Sequence, residues 1–251
     1  MAKKILILGG TGEAAELARR INFALRANVE VILSLAGRTR APAAQPVATR
    51  SGGFGGAAGL AEYIRLENIA LLIDATHPFA ATMSANARLA CAETEIPRLQ
   101  WVRPAWTPPE GARVVWAETL ADAAKLLPSL ARSAFLAVGG RGLAAFAHLA
   151  NDPKKKIHLI ARAVEKPDDL PPGIELVIGR PQRSAAAESA LFSALGTDTL
   201  VARESGGTGF AKIEAAGDLG LNILLIKRPP PEPGEQASTM EAALAWIADR
   251  L

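Results

Sequence analysis

The chain has 251 residues, of which 49% are hydrophobic and 21% are charged, so it can bury one large core or two modest ones. Its formal net charge of +3 suits an anionic ligand, whereas an aromatic content of 5% argues against stacking platforms for nucleic-acid bases. The first 25 residues show no charged leader followed by an apolar core, and no apolar run reaches transmembrane length. We therefore expect a cytoplasmic protein with neither a nucleic-acid nor a membrane partner, for which a monomer is a plausible state. Its single cysteine, Cys91, is expected to be a small buried hydrophobe.

A short apolar run near the start of the chain breaks at glycines and is followed at once by a helical pattern. Residues 5–8 predict a buried strand, and apolar residues then recur at helical spacing over residues 14–25. Between them, Gly10, Gly12 and Ala15 fill the small-residue positions of G-x-G-x-x-G/A, a motif that brings a pyrophosphate close to the backbone at a helix N-terminus. The pattern predicts a dinucleotide site; the alternative is a tight turn without a ligand. The predicted cofactor contacts in this turn are Gly9, Gly10, Thr11, Gly12 and Glu13.

The end of the second predicted strand, residues 29–35, indicates which dinucleotide binds. NAD enzymes usually place an acid there for the ribose diol, but residues 34–40 contain hydroxyls and two arginines and no carboxylate. Arginines suit a 2′-phosphate, so the pattern predicts NADPH, with a solvated basic loop as the alternative. The competing acid, Glu30, lies near the start of the strand, at the wrong end of the sheet. The predicted contacts are Ser34, Arg38 and Thr39.

The rest of the chain alternates strands and helices, as βαβ units with parallel sheets do. Proline-rich residues 103–109 predict a linker, and a second strand, glycine turn and helix start follows at residues 136–143. We therefore expect an α/β protein of two Rossmann-like domains with parallel sheets, residues 1–102 and residues 103–251. The active-site cleft is expected between them, at the carboxyl ends of the strands. A single extended sheet is the alternative. Further strands are predicted at residues 69–74, 99–102, 113–116, 135–138, 157–161, 175–178, 199–202 and 222–226.

Five short segments carry a resemblance to a known family. They are residues 9–13, 52–56, 74–80, 103–106 and 203–209. In this order they resemble the precorrin-6A reductases of cobalamin biosynthesis, and the D-A-T-H-P-F-A and S-G-G-x-G segments are the most specific. The resemblance spans nearly the whole chain. It implies a pyridine-nucleotide-dependent reduction of one double bond in the precorrin-6A macrocycle, giving precorrin-6B, with the tetrapyrrole held between two Rossmann-like domains.

A tetrapyrrole rimmed with acetates and propionates is a polyanion, so its pocket should offer cations and backbone N–H groups. The second half of the chain supplies them at two glycine-rich segments, although a glycine turn without a ligand is the alternative. The predicted substrate contacts are Arg141, Arg203, Ser205, Gly206, Gly207 and Lys212. Trp106, in the linker, is either a core residue or a residue that packs on the substrate face.

The D-A-T-H-P-F-A segment is expected near the nicotinamide. The further predicted cofactor contacts are Gly53, Thr76 and His77. Asp74 and His77 are the candidate catalytic residues, His77 because its ordinary pKa suits proton transfer at neutral pH. The alternatives are a histidine that shapes its own loop and an aspartate that caps the next turn. Since the cofactor itself carries the hydride chemistry, no certain catalytic acid is assigned.

Other functional classes fit the sequence less well. A non-catalytic NADP-binding regulator would share the first half of the chain, but it would have little need of a second half that is glycine-rich and basic. A methyltransferase would normally carry an acidic residue at the end of the second strand, where this chain has none. A tyrosine-dependent short-chain dehydrogenase is excluded because the single tyrosine, Tyr63, is followed four residues later by Glu67 instead of lysine. No Cys/His grouping has metal-ligand spacing, so no metal site is expected.

Overall fold

The computed structural model describes residues 2–36, 47–150 and 157–251. Within those ranges the chain forms twelve β-strands and eight α-helices, and the strands make two six-stranded sheets. The strands are β1 (Lys3–Leu8), β2 (Val29–Leu35), β3 (Ala48–Ser51), β4 (Ile69–Asp74), β5 (Arg98–Trp101), β6 (Arg113–Ala117), β7 (Ser133–Ala137), β8 (His158–Ala163), β9 (Ile174–Ile178), β10 (Thr199–Arg203), β11 (Asn222–Ile226) and β12 (Glu235–Ala237). The helices are α1 (Gly12–Leu25), α2 (Ala57–Leu66), α3 (Ala81–Thr94), α4 (Leu120–Leu126), α5 (Ala147–Ala150), α6 (Ala185–Ala194), α7 (Ala211–Asp218) and α8 (Met240–Ala248). Short 3₁₀ helices lie at Leu127–Ser129, Gly140–Phe146 and Gly207–Phe210.

The first compact unit combines Met1–Pro104 with the C-terminal segment Pro229–Leu251. Its sheet has the order β12-β5-β4-β1-β2-β3, and every neighbouring pair is parallel. Helices α1 and α8 pack on one apolar face of this sheet, and α2 and α3 pack on the other. This is the doubly wound arrangement, in which β1 and β4 flank the topological switch point and ligands bind at the carboxyl ends of the strands.

The second compact unit is Ala105–Arg228. Its sheet has the order β6-β11-β10-β7-β8-β9, again with every pair parallel. Here β7 and β10 flank the switch point, and the outer strand next to β11 comes from the beginning of the unit. A core beneath α6 and α7 contains Trp106 and Phe135 together with apolar residues of the central strands.

The predicted α/β class with two parallel sheets is confirmed, and the single extended sheet is wrong. Strands β3 and β12 were not predicted because both are short and mostly polar, without an apolar run. The C-terminal segment, expected in the second domain, lies instead in the first compact unit. Strand β12 pairs with β5, and α8 adds Trp246 and Ile247 to the core beneath α1.

Cys91 lies on α3 and is 4% exposed. Burial raises the pKa of its thiol to about 12, although Arg98 acts in the opposite direction. The residue therefore packs as a small hydrophobe, as expected. Within the described part of the chain, no helix combines the length and the apolar composition that crossing a membrane requires.

We predict that Ile247→Ala destabilises the first unit. Ile247 is fully buried, and removing its methylenes leaves a cavity that costs about 2–5 kcal/mol. Hydrogen exchange followed by mass spectrometry should show lost protection in β1, β2 and β4, while β10 and β11 stay protected. Leu219→Ala, at a position that is 40% exposed, is the control and should change stability by less than about 0.5 kcal/mol. Lost protection in β10 and β11 instead would place the C-terminal segment with the second unit.

Candidate functional site

The glycine turn between β1 and α1 is bonded to the ends of two neighbouring strands, β2 and β4. The Gly9 N–H donates to the carbonyl of Ser34 (2.9 Å), at the end of β2. Thr11 caps α1, since its Oγ1 accepts from the Ala14 N–H (3.1 Å), and the same hydroxyl donates to the Ala75 carbonyl (3.3 Å) after β4. The first turn of α1 is thereby fixed at the switch point of the sheet.

The same turn leaves room for a ligand. Gly10 has φ +109°, a conformation that disfavours any residue with a side chain. A Cβ added at Gly10 or Gly12 would meet no atom within 4 Å. At Gly9, in contrast, an added Cβ would lie 2.7 Å from Leu33 Cδ1. Gly9 is therefore required by packing, while Gly10 and Gly12 border open space at the N-terminus of a 14-residue helix.

Glu13, predicted as a cofactor contact, is paired with Arg103. Its Oε2 lies 3.3 Å from Arg103 Nη2, and the two side chains are 18% and 8% exposed. The pair joins two of the five family-like segments, residues 9–13 and residues 103–106. A carboxylate in the first turn of α1 is thus neutralised by a cation next to the end of β5.

At the end of β2, Ser34 is paired with an arginine that the sequence did not single out. Arg50 Nη1 donates to Ser34 Oγ (2.8 Å), and Arg50 also donates to the carbonyls of Gly52 and Gly53, at 3.1 Å each. Its guanidinium lies 3.8 Å from the centroid of the Phe54 ring. A cation therefore lies where NAD enzymes carry an acid.

Arg50 was missed because β3 is a short polar strand whose place beside β2 follows from no local pattern. The predicted contacts Arg38 and Thr39 lie outside the described residues. Glu30, the competing acid, is at the amino end of β2, four residues before Ser34 and at the opposite end of the strand.

Asp74 and His77, the candidate catalytic residues, bond within their own loop after β4. Asp74 is 1% exposed, and its Oδ1 accepts from the Thr76 N–H (3.2 Å) and from Thr76 Oγ1 (2.7 Å). His77 Nδ1 accepts from the Phe79 N–H (3.3 Å). These bonds match the alternative of loop-shaping residues. They also place the loop beside the glycine turn, through the contact between Thr11 and Ala75.

In the second unit, Arg203 lies across the second glycine turn. A Cβ added at Gly142 would lie 3.1 Å from Arg203 Nη2, so the guanidinium packs directly on this glycine. Gly139 opens the turn with φ +74°. Arg141, in the same turn, is exposed. The ends of β7 and β10 thus present two arginines at one edge of the sheet.

Glu204, which is 4% exposed, fixes the S-G-G-T-G segment that follows β10. Its Oε1 accepts from the Trp106 N–H (3.1 Å) and from Arg228 Nη2 (2.6 Å). Burial raises the pKa of Glu204, but the bonds from Arg228, Trp106 N–H and Gly206 N–H outweigh burial and lower it below its usual value. Trp106 Nε1 in turn donates to the Gly207 carbonyl (2.9 Å). Trp106 is thus a core residue, 7% exposed, that holds the glycine segment.

Lys212, which follows this segment on α7, is 8% exposed. Its Nζ donates to the Gly209 carbonyl (2.6 Å) and lies 4.4 Å from the centroid of the Trp106 ring. Burial, helped by the charge of Arg162, lowers the pKa of Lys212 to about 8, and Glu188 acts in the opposite direction. Five predicted substrate residues therefore lie at or just after the carboxyl end of β10; they are Arg203, Ser205, Gly206, Gly207 and Lys212.

Comparison with known proteins shows the family to which the chain belongs. The family model described as Precorrin-6x reductase CbiJ/CobK matches residues 4–248. A precorrin-6A reductase from Rhodococcus erythropolis is 42% identical over 247 residues, which cover 97% of either chain. One from Rhodobacter capsulatus is 39% identical over 249 residues, covering 98% of this chain and 96% of the relative. A solved structure named CobK precorrin-6A reductase superposes with a TM-score of 0.90 at 39% identity, covering 99% of this chain and 97% of that one. The chain therefore belongs to the precorrin-6x reductase family.

Proposed function

We propose that this chain uses NADPH to reduce one carbon–carbon double bond of the precorrin-6A macrocycle, giving precorrin-6B in cobalamin biosynthesis. Family membership over nearly the whole chain supports the reaction. The observation that carries the cofactor assignment is the open β1–α1 turn next to the Ser34–Arg50 pair. A glycine turn at a helix N-terminus fits a pyrophosphate, and a hydroxyl with a guanidinium fits a 2′-phosphate.

The residues of the first unit have distinct roles in this proposal. The turn formed by Gly9, Gly10, Thr11, Gly12 and Glu13 holds the pyrophosphate. Ser34 and Arg50 hold the 2′-phosphate together with Arg38 and Thr39, and Gly53 lets the loop after β3 approach the adenosine half. Thr76 and His77 border the nicotinamide. When bound, NADPH supplies the hydride, so the protein's task is orientation and electrostatics. Asp74 then acts as a positioning residue, because its bonds to Thr76 fix the loop.

The second unit holds the substrate in this proposal. Arg141 and Arg203 offer cations beside the second glycine turn, Ser205 offers a hydroxyl, and Gly206 and Gly207 let the macrocycle approach the backbone. Gly206 and Gly207 have φ +63° and +64°, a conformation that disfavours any residue with a side chain, so the backbone stays open to close approach. Lys212 adds a cation behind the segment. Donors of this kind match the acetates and propionates of a tetrapyrrole.

Turnover tests the reaction directly. Purified protein incubated with precorrin-6A and NADPH should show coupled loss of the reduced cofactor and a product heavier by two hydrogens, detected by absorbance and mass spectrometry. Controls lacking either precorrin-6A or protein should consume no NADPH. Folded protein that binds NADPH but leaves precorrin-6A unchanged would contradict the proposal and favour the non-catalytic NADP-binding regulator.

Cofactor selectivity tests the 2′-phosphate assignment. Arg50→Ala and Arg38→Ala should each weaken NADPH binding by about tenfold or more, because each removes a charge-assisted bond, and should change NADH binding by less than about threefold. Dissociation constants for both cofactors can be measured by fluorescence titration. Arg65→Ala, which removes an exposed arginine paired with Glu93 on α3, is the matched control and should affect neither. Equal losses for NADPH and NADH in both test variants would remove the assignment.

A further inference from the structure

An acidic side chain lies beside the turn to which we assign the pyrophosphate of the cofactor. Glu13 is in the first turn of α1, directly after Gly12, and Gly10 and Gly12 border open space. A carboxylate at this end of a helix is attracted by the positive end of the helix dipole and by the N–H groups there. A pyrophosphate needs the same groups. Glu13 would therefore compete with the cofactor, and repel it, unless its charge is compensated.

The guanidinium of Arg103 compensates this charge. Glu13 Oε2 lies 3.3 Å from Arg103 Nη2, and the two side chains are 18% and 8% exposed. Ion pairs that are open to solvent contribute little, because water and salt screen them. This pair is largely shielded from solvent, so the removal of one partner leaves the charge of the other poorly compensated.

The backbone at Arg103 is fixed independently of α1. Arg103 follows β5 by two residues, and the Val102 N–H before it donates to the Ala237 carbonyl (2.9 Å) at the end of β12. Pro104 fixes its own φ and restricts the conformation of the residue before it. In the sheet, β5 is separated from β1 by β4. The cation is thus supplied to the glycine turn from a different strand.

Arg103 can act on the cofactor in two ways. In the first, the guanidinium binds the pyrophosphate itself and Glu13 orients it. In the second, the guanidinium holds the Glu13 carboxylate away from the N–H groups of α1. The second role fits the exposures better, because Arg103 is the less exposed partner and Glu13 belongs to the helix whose N-terminus borders the open space.

We propose that Arg103 is a positioning residue for the cofactor. Its guanidinium neutralises Glu13 and keeps the carboxylate off the first turn of α1, so that the N–H groups of this turn bind the pyrophosphate of NADPH. Arg103 therefore acts through Glu13 and does not touch the cofactor. The inference rests on the proposed function, because it takes a pyrophosphate at the β1–α1 turn as its premise.

A double-mutant cycle in the full-length protein tests this role. Arg103→Met should raise the dissociation constants of NADPH and of NADH by about tenfold or more, because both cofactors carry a pyrophosphate that meets the uncompensated carboxylate. Adding Glu13→Gln to Arg103→Met should restore both constants to within about threefold of the parent. Glu13→Gln alone should bind NADPH at least as tightly as the parent does. Fluorescence titration measures all four proteins.

Salt dependence and a second ion pair give the controls. The ratio of the dissociation constant of Arg103→Met to that of the parent should fall as KCl is raised from about 50 to about 500 mM, since salt screens the repulsion. A folding defect would not be relieved in this way. Arg88→Met, alone and with Glu232→Gln, alters an ion pair of the same unit with an N–O distance of 2.7 Å and should leave both constants unchanged. Circular dichroism checks the folding of every variant.

The outcomes separate this role from the proposed function. The inference is wrong, and the NADPH assignment stands, if Arg103→Met binds as tightly as the parent or if Glu13→Gln fails to restore its binding. If Arg103→Met does not fold, Glu13→Gln alone decides, because weaker NADPH binding would show that Glu13 helps the cofactor and would overturn the inference. If the parent binds neither cofactor, the proposed cofactor site is wrong and this role fails with it.

Discussion

The bond network of the Glu204 carboxylate organises the second unit. The chain enters this unit at Ala105 and leaves it at Arg228, and both ends are attached to Glu204, through the Trp106 N–H and through the Arg228 guanidinium. A buried carboxylate that loses such partners costs about 3–5 kcal/mol, so the three segments depend on each other. The glycine segment after β10 is held by the same network, since Trp106 also bonds to Gly207. The predicted substrate residues are therefore positioned by a carboxylate that need not touch the substrate.

Parallel sheets account for where both sets of candidate residues lie. In each unit, the central strands carry buried apolar side chains on both faces, because helices cover both sides; these strands are β1, β2 and β4 in the first unit and β7, β10 and β11 in the second. Polar residues appear where these strands end, as Ser34 and Asp74 do in the first unit and Arg203 does in the second. Loops at the carboxyl ends then combine residues that are far apart in the chain. The glycine turns lie at the switch points. There the connections from two neighbouring strands run to opposite faces of the sheet, so that a crevice opens between them.

Sequence reasoning succeeded where the determining interactions are local. The turn at Gly10 and the apolar periodicity of α1 depend on residues that are close together in the chain, and both follow from the residue types. Arg50 could not be predicted, since its role depends on β3 lying next to β2. Arg162 and Glu188 were not predicted for a similar reason. An arginine in an apolar strand can be identified as buried and paired only when its partner on a distant helix is known. For His77, the sequence left two roles open, and the bond to the Phe79 N–H favours loop shaping.

Because Pro229–Leu251 belongs to the first unit, the second unit is completed before the first during synthesis. The second unit is one continuous stretch, so all its strands are available to fold as soon as it has emerged from the ribosome. At that moment the first unit still lacks β12 and α8. The apolar face beneath α1 is therefore not yet covered by Trp246 and Ile247. Closing such a long loop is slow, since contacts distant in sequence form late. The glycine turn between β1 and α1 is thus synthesised before the second unit, while the unit that supports this turn is completed only after the second unit has been synthesised.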